Sequence, residues 1–116
     1  MRPASAKAKG RRLQYRVRDD LQQALRLLPG DILSRSMGAA GTDLVLSPAA
    51  QARFPFAVEC KNQETVALWA AFRQAEANAG TQPPLLVVAR NRTPPLAVLR
   101  WSDLLALLAA PARTEG

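Results

Sequence analysis

Apolar residues recur at helical spacing from Gly10 to Leu28. Leu13, Val17, Leu21, Ala24, Leu25 and Leu28 follow steps of three and four and form one stripe. Pro29-Gly30 stops that helix. Asp31–Ser36 reads as a short strand, Met37–Gly41 as a glycine-containing loop, and Thr42–Leu46 as a second strand. Ser47–Arg53, with Pro48, reads as a loop. Phe54–Asn62 contains a further strand, expected to pair with Thr42–Leu46 as a hairpin. Glu64–Ala79 reads as a second helix, with Leu68, Phe72, Ala75 and Ala79 on one face and Gly80 closing it. The continuous apolar run Leu85–Ala89 suits a central strand buried on both faces. Leu96–Trp101 is expected as a last strand, and Asp103–Ala110 as a last helix capped by Ser102. This alternation predicts an α/β domain, a mixed central sheet flanked by helices. One domain is expected over residues 10–111, with a basic tail at 1–9 and a short tail at 112–116.

The charge balance narrows the partner. Among 116 residues, 16 are Lys or Arg and 9 are Asp or Glu, a formal net charge of +7. A small basic domain of this kind commonly meets a polyanion, above all nucleic acid. Arg11, Arg12, Arg16 and Arg18 lie off the first apolar stripe and form a basic flank, read as a phosphate-contacting surface. The aromatic content is 5%, which offers little for stacking RNA bases.

Other residue types matter by their scarcity. With no histidine, Ser-His-Asp and Cys-His nucleophile systems are excluded, as is zinc held by imidazole. With one cysteine, Cys60, the chain forms no internal disulfide and reads as cytoplasmic. The longest apolar run, around Leu104–Ala110, is too short to span a bilayer, and the basic N-terminus lacks the apolar segment of a signal peptide. An enzyme built from this chain must work with carboxylates, Lys, Tyr or a hard cation held by oxygen.

Carboxylates in strand patterns carry the candidate chemistry. Alternation along Ala57-Val58-Glu59-Cys60-Lys61 puts Val58 and Cys60 on an apolar face, and Glu59 and Lys61 together on the other, about 7 Å apart along the backbone. Asp43 also stands in a strand pattern, where aspartate is a poor fit. Two carboxylates facing one side of neighbouring strands repel each other unless a cation lies between them, and an oxygen-loving divalent metal would satisfy both. A neighbouring ammonium could orient a water and offset charge on a phosphate. The chain has 13 Arg and three Lys, and Lys61 is the one Lys within the expected domain. Lys is a compact charge whose pKa responds to its surroundings, unlike Arg. The bland alternative is a solvated Glu59–Lys61 pair of little energetic weight. Cys60, on the core face, reads as a small buried hydrophobe, and Trp69 and Phe72 as core or dimer-interface anchors. Glu64 reads as an acidic first-turn residue of the second helix.

With Gly-Thr-Asp-Leu at Gly41–Leu44 and Val-Glu-Cys-Lys-Asn at Val58–Asn62, behind a basic helix opened by Lys9-Gly10, the chain resembles the PD-(D/E)XK nuclease superfamily. Within it, the likeness is to archaeal-type Holliday junction resolvases and their phage-encoded relatives. It covers roughly residues 9–103, and Lys9-Gly10, Ser36, Asp43, Glu59, Lys61 and Gln74 occupy the matching places. The resemblance implies a restriction-endonuclease-like core, and one or two Mg²⁺ ions (Mn²⁺ substituting) held by Asp43 and Glu59. Lys61 would partner the attacking water, and a homodimer would cut two strands of branched DNA symmetrically. It further implies a cytoplasmic protein of DNA recombination or repair, phage-encoded in some cases, that works without a membrane or an organic cofactor.

One position departs from the family pattern. Where those proteins carry a first-helix Glu, this chain has Gln14, whose carbonyl can still coordinate a hard cation but brings no charge. Ser36 reads equally as a phosphate contact beside Arg35 or as a turn serine. Gln74 reads equally as a site-facing, DNA-contacting side chain or as an exposed helix residue. The DNA-contacting set is then Lys9, Arg11, Arg12, Arg16, Arg35 and Gln74. Two rivals stand beside the junction resolvase. One is a general nuclease of the same fold acting on flaps or duplex. The other is a non-catalytic DNA-binding module.

Overall fold

A parallel pair of strands joined by a helix forms the centre of the molecule. The computed structural model describes residues 5–36 and 40–110. The first four residues, residues 37–39 of the expected loop and the expected C-terminal tail at 112–116 lie outside the described residues. Helix α1 (Ala6–Ala24) leads into strands β1 (Ile32–Ser34) and β2 (Leu44–Leu46), which pair antiparallel. A short helix α2 (Pro48–Arg53) precedes β3 (Ala57–Asn62). Helix α3 (Leu68–Ala79) then crosses over to β4 (Pro84–Arg90), which runs parallel to β3. Strand β5 (Thr93–Val98) returns antiparallel on β4, and α4 (Trp101–Ala109) closes the chain. The β3–β4–β5 sheet is therefore mixed, with the apolar run predicted as central at its centre.

Alternation along the strands decides which helix covers which face. Val58 of β3 and Leu85 and Val87 of β4 are buried in one cluster with Leu13 and Val17 of α1, and Cys60 packs against it. Leu86 of β4 lies in a second cluster with Ala71 and Ala75 of α3, joined by Val88 and Phe72. The strand of the Glu-x-Lys pattern thus gives its apolar side to α1, as its sequence pattern predicts. Its charged side lies with α3.

Several element boundaries differ from the sequence expectations, each for a local reason. Helix α1 begins at Ala6, where the Ser5 hydroxyl caps it by accepting from the Ala8 N–H at 3.1 Å, so Lys7 and Lys9 belong to the helix and not to a tail. Lys61 is accordingly not the one Lys of the folded body, although no other Lys stands in a strand. The stripe ends sooner than expected: α1 stops at Ala24, and Leu28 is exposed beyond it.

Pro48 starts a helix rather than breaking one. It is the first residue of α2, where its missing N–H costs nothing, and Ser47 caps that helix by accepting from Ala50 N–H at 3.1 Å. Ser47 also donates to Asp31 at 2.9 Å, tying α2 to the segment before β1. Replacing it (Ser47→Ala) is expected to cost about 1 kcal/mol of stability, read as a lower urea midpoint with an unchanged slope.

The expected hairpin of Thr42–Leu46 with Phe54–Asn62 does not form. β2 pairs with β1 and β3 pairs with β4, while Asp43 reaches across to β3, its N–H donating to Val58 O at 3.0 Å. α3 starts at Leu68, after a bend at Glu64 and Thr65 in which Glu64 accepts from the Asn91 N–H at 2.7 Å, so Glu64 holds the β4–β5 turn and not a first helical turn. Gly80 closes α3 at φ 63, a backbone conformation glycine adopts without strain. β5 begins at Thr93 and ends before Trp101, which opens α4. Arg100 stands at the cap position expected for Ser102. Among the described residues no helix is long and apolar enough to cross a membrane.

Candidate active site

Asp43 stands immediately before β2, where the β1–β2 pair is hydrogen-bonded to β3. Its backbone is held from both sides: its N–H donates to Val58 O at 3.0 Å and its carbonyl accepts from Arg35 N–H at 2.8 Å. Its Oδ2 accepts from the Cys60 N–H at 2.7 Å. An aspartate, poor in a strand, fits here because its short carboxylate replaces a carbonyl that the neighbouring strand would otherwise supply. Gly41 makes the approach possible. It sits at φ 104, and a Cβ there would lie 3.0 Å from the Arg35 guanidinium carbon, while Arg35 Nε donates to Thr42 O at 2.6 Å. The Gly-Thr-Asp-Leu motif is thus a backbone device that pins Arg35 and presents Asp43 to β3.

Glu59 is half-buried on the charged face of β3, against α3. Burial first, then the charge of the neighbouring Asp43 and a hydrogen bond between the two carboxyl groups, raise its carboxyl from 4.5 to a net value of about 7. Asn78 of α3 opposes the shift by donating its amide to Glu59 Oε1 at 3.0 Å, and Lys61 opposes it by charge. Near pH 7 the Glu59 carboxyl is therefore about half protonated. Burial, with Asp43 and Glu59 nearby, pushes the Cys60 thiol well above its ordinary value, so it is no nucleophile at neutral pH.

The amide on α3 is a residue the sequence reading missed. Asn78 is one helical turn after Gln74, and Gln74 Nε2 lies 3.4 Å from Asn78 Oδ1. Gln74 thus reaches Glu59 only through Asn78. The available signal was the four-residue spacing of two amides on the helix that crosses between β3 and β4. Loss of the amide in Asn78→Ala is expected to raise the Glu59 pKa further, since a donor that favours the charged form is removed. A carboxyl-detected NMR titration of the metal-free protein reads this shift, and a downward movement would contradict the arrangement.

The remaining predicted residues fall into two neighbouring concavities. Gln14, Arg11, Arg35 and Ser36 line a polar hollow of about 370 Å³ with Lys7 and Ser34. There Gln14 is buried, and its Oε1 accepts from Ser34 Oγ at 2.8 Å. Arg12 and Arg16 line another, of about 550 Å³, between α1 and the β4–β5 turn. Lys9 is joined to the end of β3, where its carbonyl accepts from Asn62 Nδ2 at 3.1 Å. Trp69 is 78% exposed and belongs to no core cluster, whereas Phe72 packs under α3.

Among the described residues no group of three or more His, Cys, Asp or Glu could hold a metal ion. Two adjacent carboxyl groups, one of them half-buried and held up by the other's charge, nonetheless fit a hard divalent cation, which Asp43 and Glu59 would hold in their ionised forms. Mg²⁺ is commonly held by one or two carboxylates, with water and substrate phosphate completing its shell. Compared with protein-family models, curated proteins and solved structures, the chain matches none.

Proposed function

We propose that this protein is a Mg²⁺-dependent DNA endonuclease of the PD-(D/E)XK kind, acting on branched DNA as a homodimer. The observation that carries this reading is the carboxyl pair of Asp43 and Glu59 beside Lys61 at the meeting point of the two strand systems. The parallel β3–α3–β4 unit, with the Glu-x-Lys strand inside it, supports a restriction-endonuclease-like core.

Each residue has a distinct task in that chemistry. Asp43 and Glu59 would hold the cation, with Mn²⁺ as an alternative occupant. The ion supplies Lewis-acid stabilisation of charge on the scissile phosphate when bound. Lys61 orients the attacking water and offsets charge gathering on the phosphate oxygens. Asn78 keeps Glu59 turned toward Asp43. Water adds to phosphorus, one P–O ester bond breaks, and the departing oxygen takes up a proton. Arg11, Arg35 and Ser36 line a hollow tied to this site through Arg35, whose N–H donates to Asp43 O, and suit the flanking phosphates.

Two cuts in a four-way junction need two sites, and a domain of this size carries one. Helix α4 buries none of its residues, and Trp101 and Leu108 are 71% and 70% exposed, with Trp69 likewise exposed on α3. Large apolar side chains left in water on this scale suit a second copy of the chain.

A non-catalytic DNA-binding module is the second reading, and Gln14 favours it. The first-helix position that would bring a further charged ligand carries an amide bonded to Ser34. The deciding assay compares a labelled four-way junction with linear duplex and a flap, in Mg²⁺, Mn²⁺ and EDTA. Paired symmetric nicks in the junction alone, abolished by EDTA, are expected. Equal cutting of all three substrates would mark a general nuclease of this fold. Tight binding without cutting in either metal would mark the binding module.

A further inference from the structure

The hollow between α1 and the β4–β5 turn is the strongest charge feature outside the carboxyl site. Arg12 and Arg16, one helical turn apart on α1, line it. Arg90, the last residue of β4, and Arg92 of the β4–β5 turn line it too, as do Asn62 and Thr93. No carboxylate lines it. Asp20 reaches Arg16 from the rim at 3.7 Å with both side chains more than half exposed, a pair too solvated to neutralise the groove. Arg12 and Arg92 make no ion pair among the described residues. The turn is built to hold its arginines in place: Arg90 Nε donates to Thr93 Oγ1 at 3.1 Å, and Arg92 sits at φ 60. A non-glycine residue in that conformation is uncommon.

We propose that this groove binds the sugar-phosphate backbone of a DNA duplex arm, without reading its sequence. This rests on the DNA-directed reading above and extends it to residues of the β4–β5 turn. Four arginines lining one hollow give it a positive potential that attracts a polyanion. Arginine forks match phosphate oxygens in pairs. The rest of the lining is Leu13, Ala89, Pro94 and Pro95 with no aromatic ring, so bases have nothing to stack on and a single strand gains little here. The surface is concave, about 550 Å³, which suits an inserted backbone better than a flat anionic bilayer. Asn62 follows Lys61 directly, so the groove opens at the end of the strand that carries the catalytic face.

The test measures binding of a labelled four-way junction by anisotropy in EDTA across a salt series, which separates it from cleavage. It compares wild type with the Arg90→Gln/Arg92→Asn double variant. Asn tolerates the positive φ of position 92, so the turn is kept, and an unchanged urea midpoint confirms the fold. Arg12→Gln, on the exposed helical side, serves as an independent variant. The double variant is expected to bind about tenfold more weakly at moderate salt, with a salt dependence shallower by about two phosphate contacts, and Arg12→Gln by about one. Wild type that binds while both variants keep its affinity and slope overturns the groove and leaves the nuclease reading standing. Wild type that binds no DNA removes both. Loss of binding to anionic vesicles in the variants, with DNA binding unchanged, also overturns the proposal in favour of a membrane surface. Weakened binding by the variants, beside a wild type that binds DNA but cuts nothing, supports the groove and removes only the enzyme.

Discussion

Asp43→Asn is expected to lower junction cleavage in Mg²⁺ by about a thousandfold while leaving DNA binding within a fewfold of wild type. The magnitude is that of losing one preorganised electrostatic group at a reacting centre, about 10²–10³ or more in rate. The binding arginines lie in other hollows and are untouched. The substitution is close to isosteric, and the new carbonyl oxygen can keep accepting the Cys60 N–H that now reaches Asp43 Oδ2 at 2.7 Å. The backbone bonds to Val58 and Arg35 do not depend on the side chain at all. Loss of cleavage through unfolding is therefore distinguishable, because an unfolded variant would lose DNA binding too. A second readout comes with it. Removing the like charge beside Glu59 lowers the Glu59 pKa from its value of about 7. Full activity in this variant would remove Asp43 from the chemistry.

The metal-free protein should become less stable as pH rises from about 4.5 to above 7, and Glu59→Gln should remove that loss. Glu59 titrates near 4.5 in the unfolded chain and near 7 in the folded one. Folding therefore takes up a proton in this window. The stabilisation is full below 4.5 and is lost as pH rises through 7. Solvent at a half-buried group screens the full shift, leaving about 2 kcal/mol. Urea unfolding in EDTA at a series of pH values reads it, and the difference between wild type and Glu59→Gln isolates this carboxyl from the others. Near pH 8 the variant should exceed wild type by about that amount relative to pH 5. Saturating Mg²⁺ should reverse the order, since an ion bound only by the folded protein stabilises it by mass action and needs the ionised carboxylates. Identical pH profiles for the two proteins would mean that burial and Asp43 do not raise the Glu59 pKa.

These two predictions have different origins in the chain. That Glu59 and Lys61 share a strand face is period-two geometry, and Val58 and Cys60 on the apolar side confirm it. That Asp43 joins them is a long-range fact. The expected hairpin would have placed it through a ladder, yet β2 pairs with β1 and Asp43 bridges to β3 through its own carboxylate and N–H. Local pattern finds strands but not their partners, because pairing depends on where the chain closes its loops.

The sequence by itself determined the α/β alternation, the central position of β4, the helix-closing glycine at Gly80 and the apolar-charged division of β3. These depend on side-chain period and on backbone chemistry acting within a few residues. It misjudged elements where one residue type carries two meanings. Pro48 ends a pattern or begins a helix according to the serine before it, and Glu64 sits in a bend before α3, where its carboxylate accepts the Asn91 N–H. Only the tertiary structure decided that Asn78 reaches Glu59, that Gln14 turns to Ser34, and that Arg90 and Arg92 meet Arg12 and Arg16 across one groove. Those meetings join residues far apart in the chain, and they come about because burying both faces of β4 brings α1, α3 and the β4–β5 turn around one sheet.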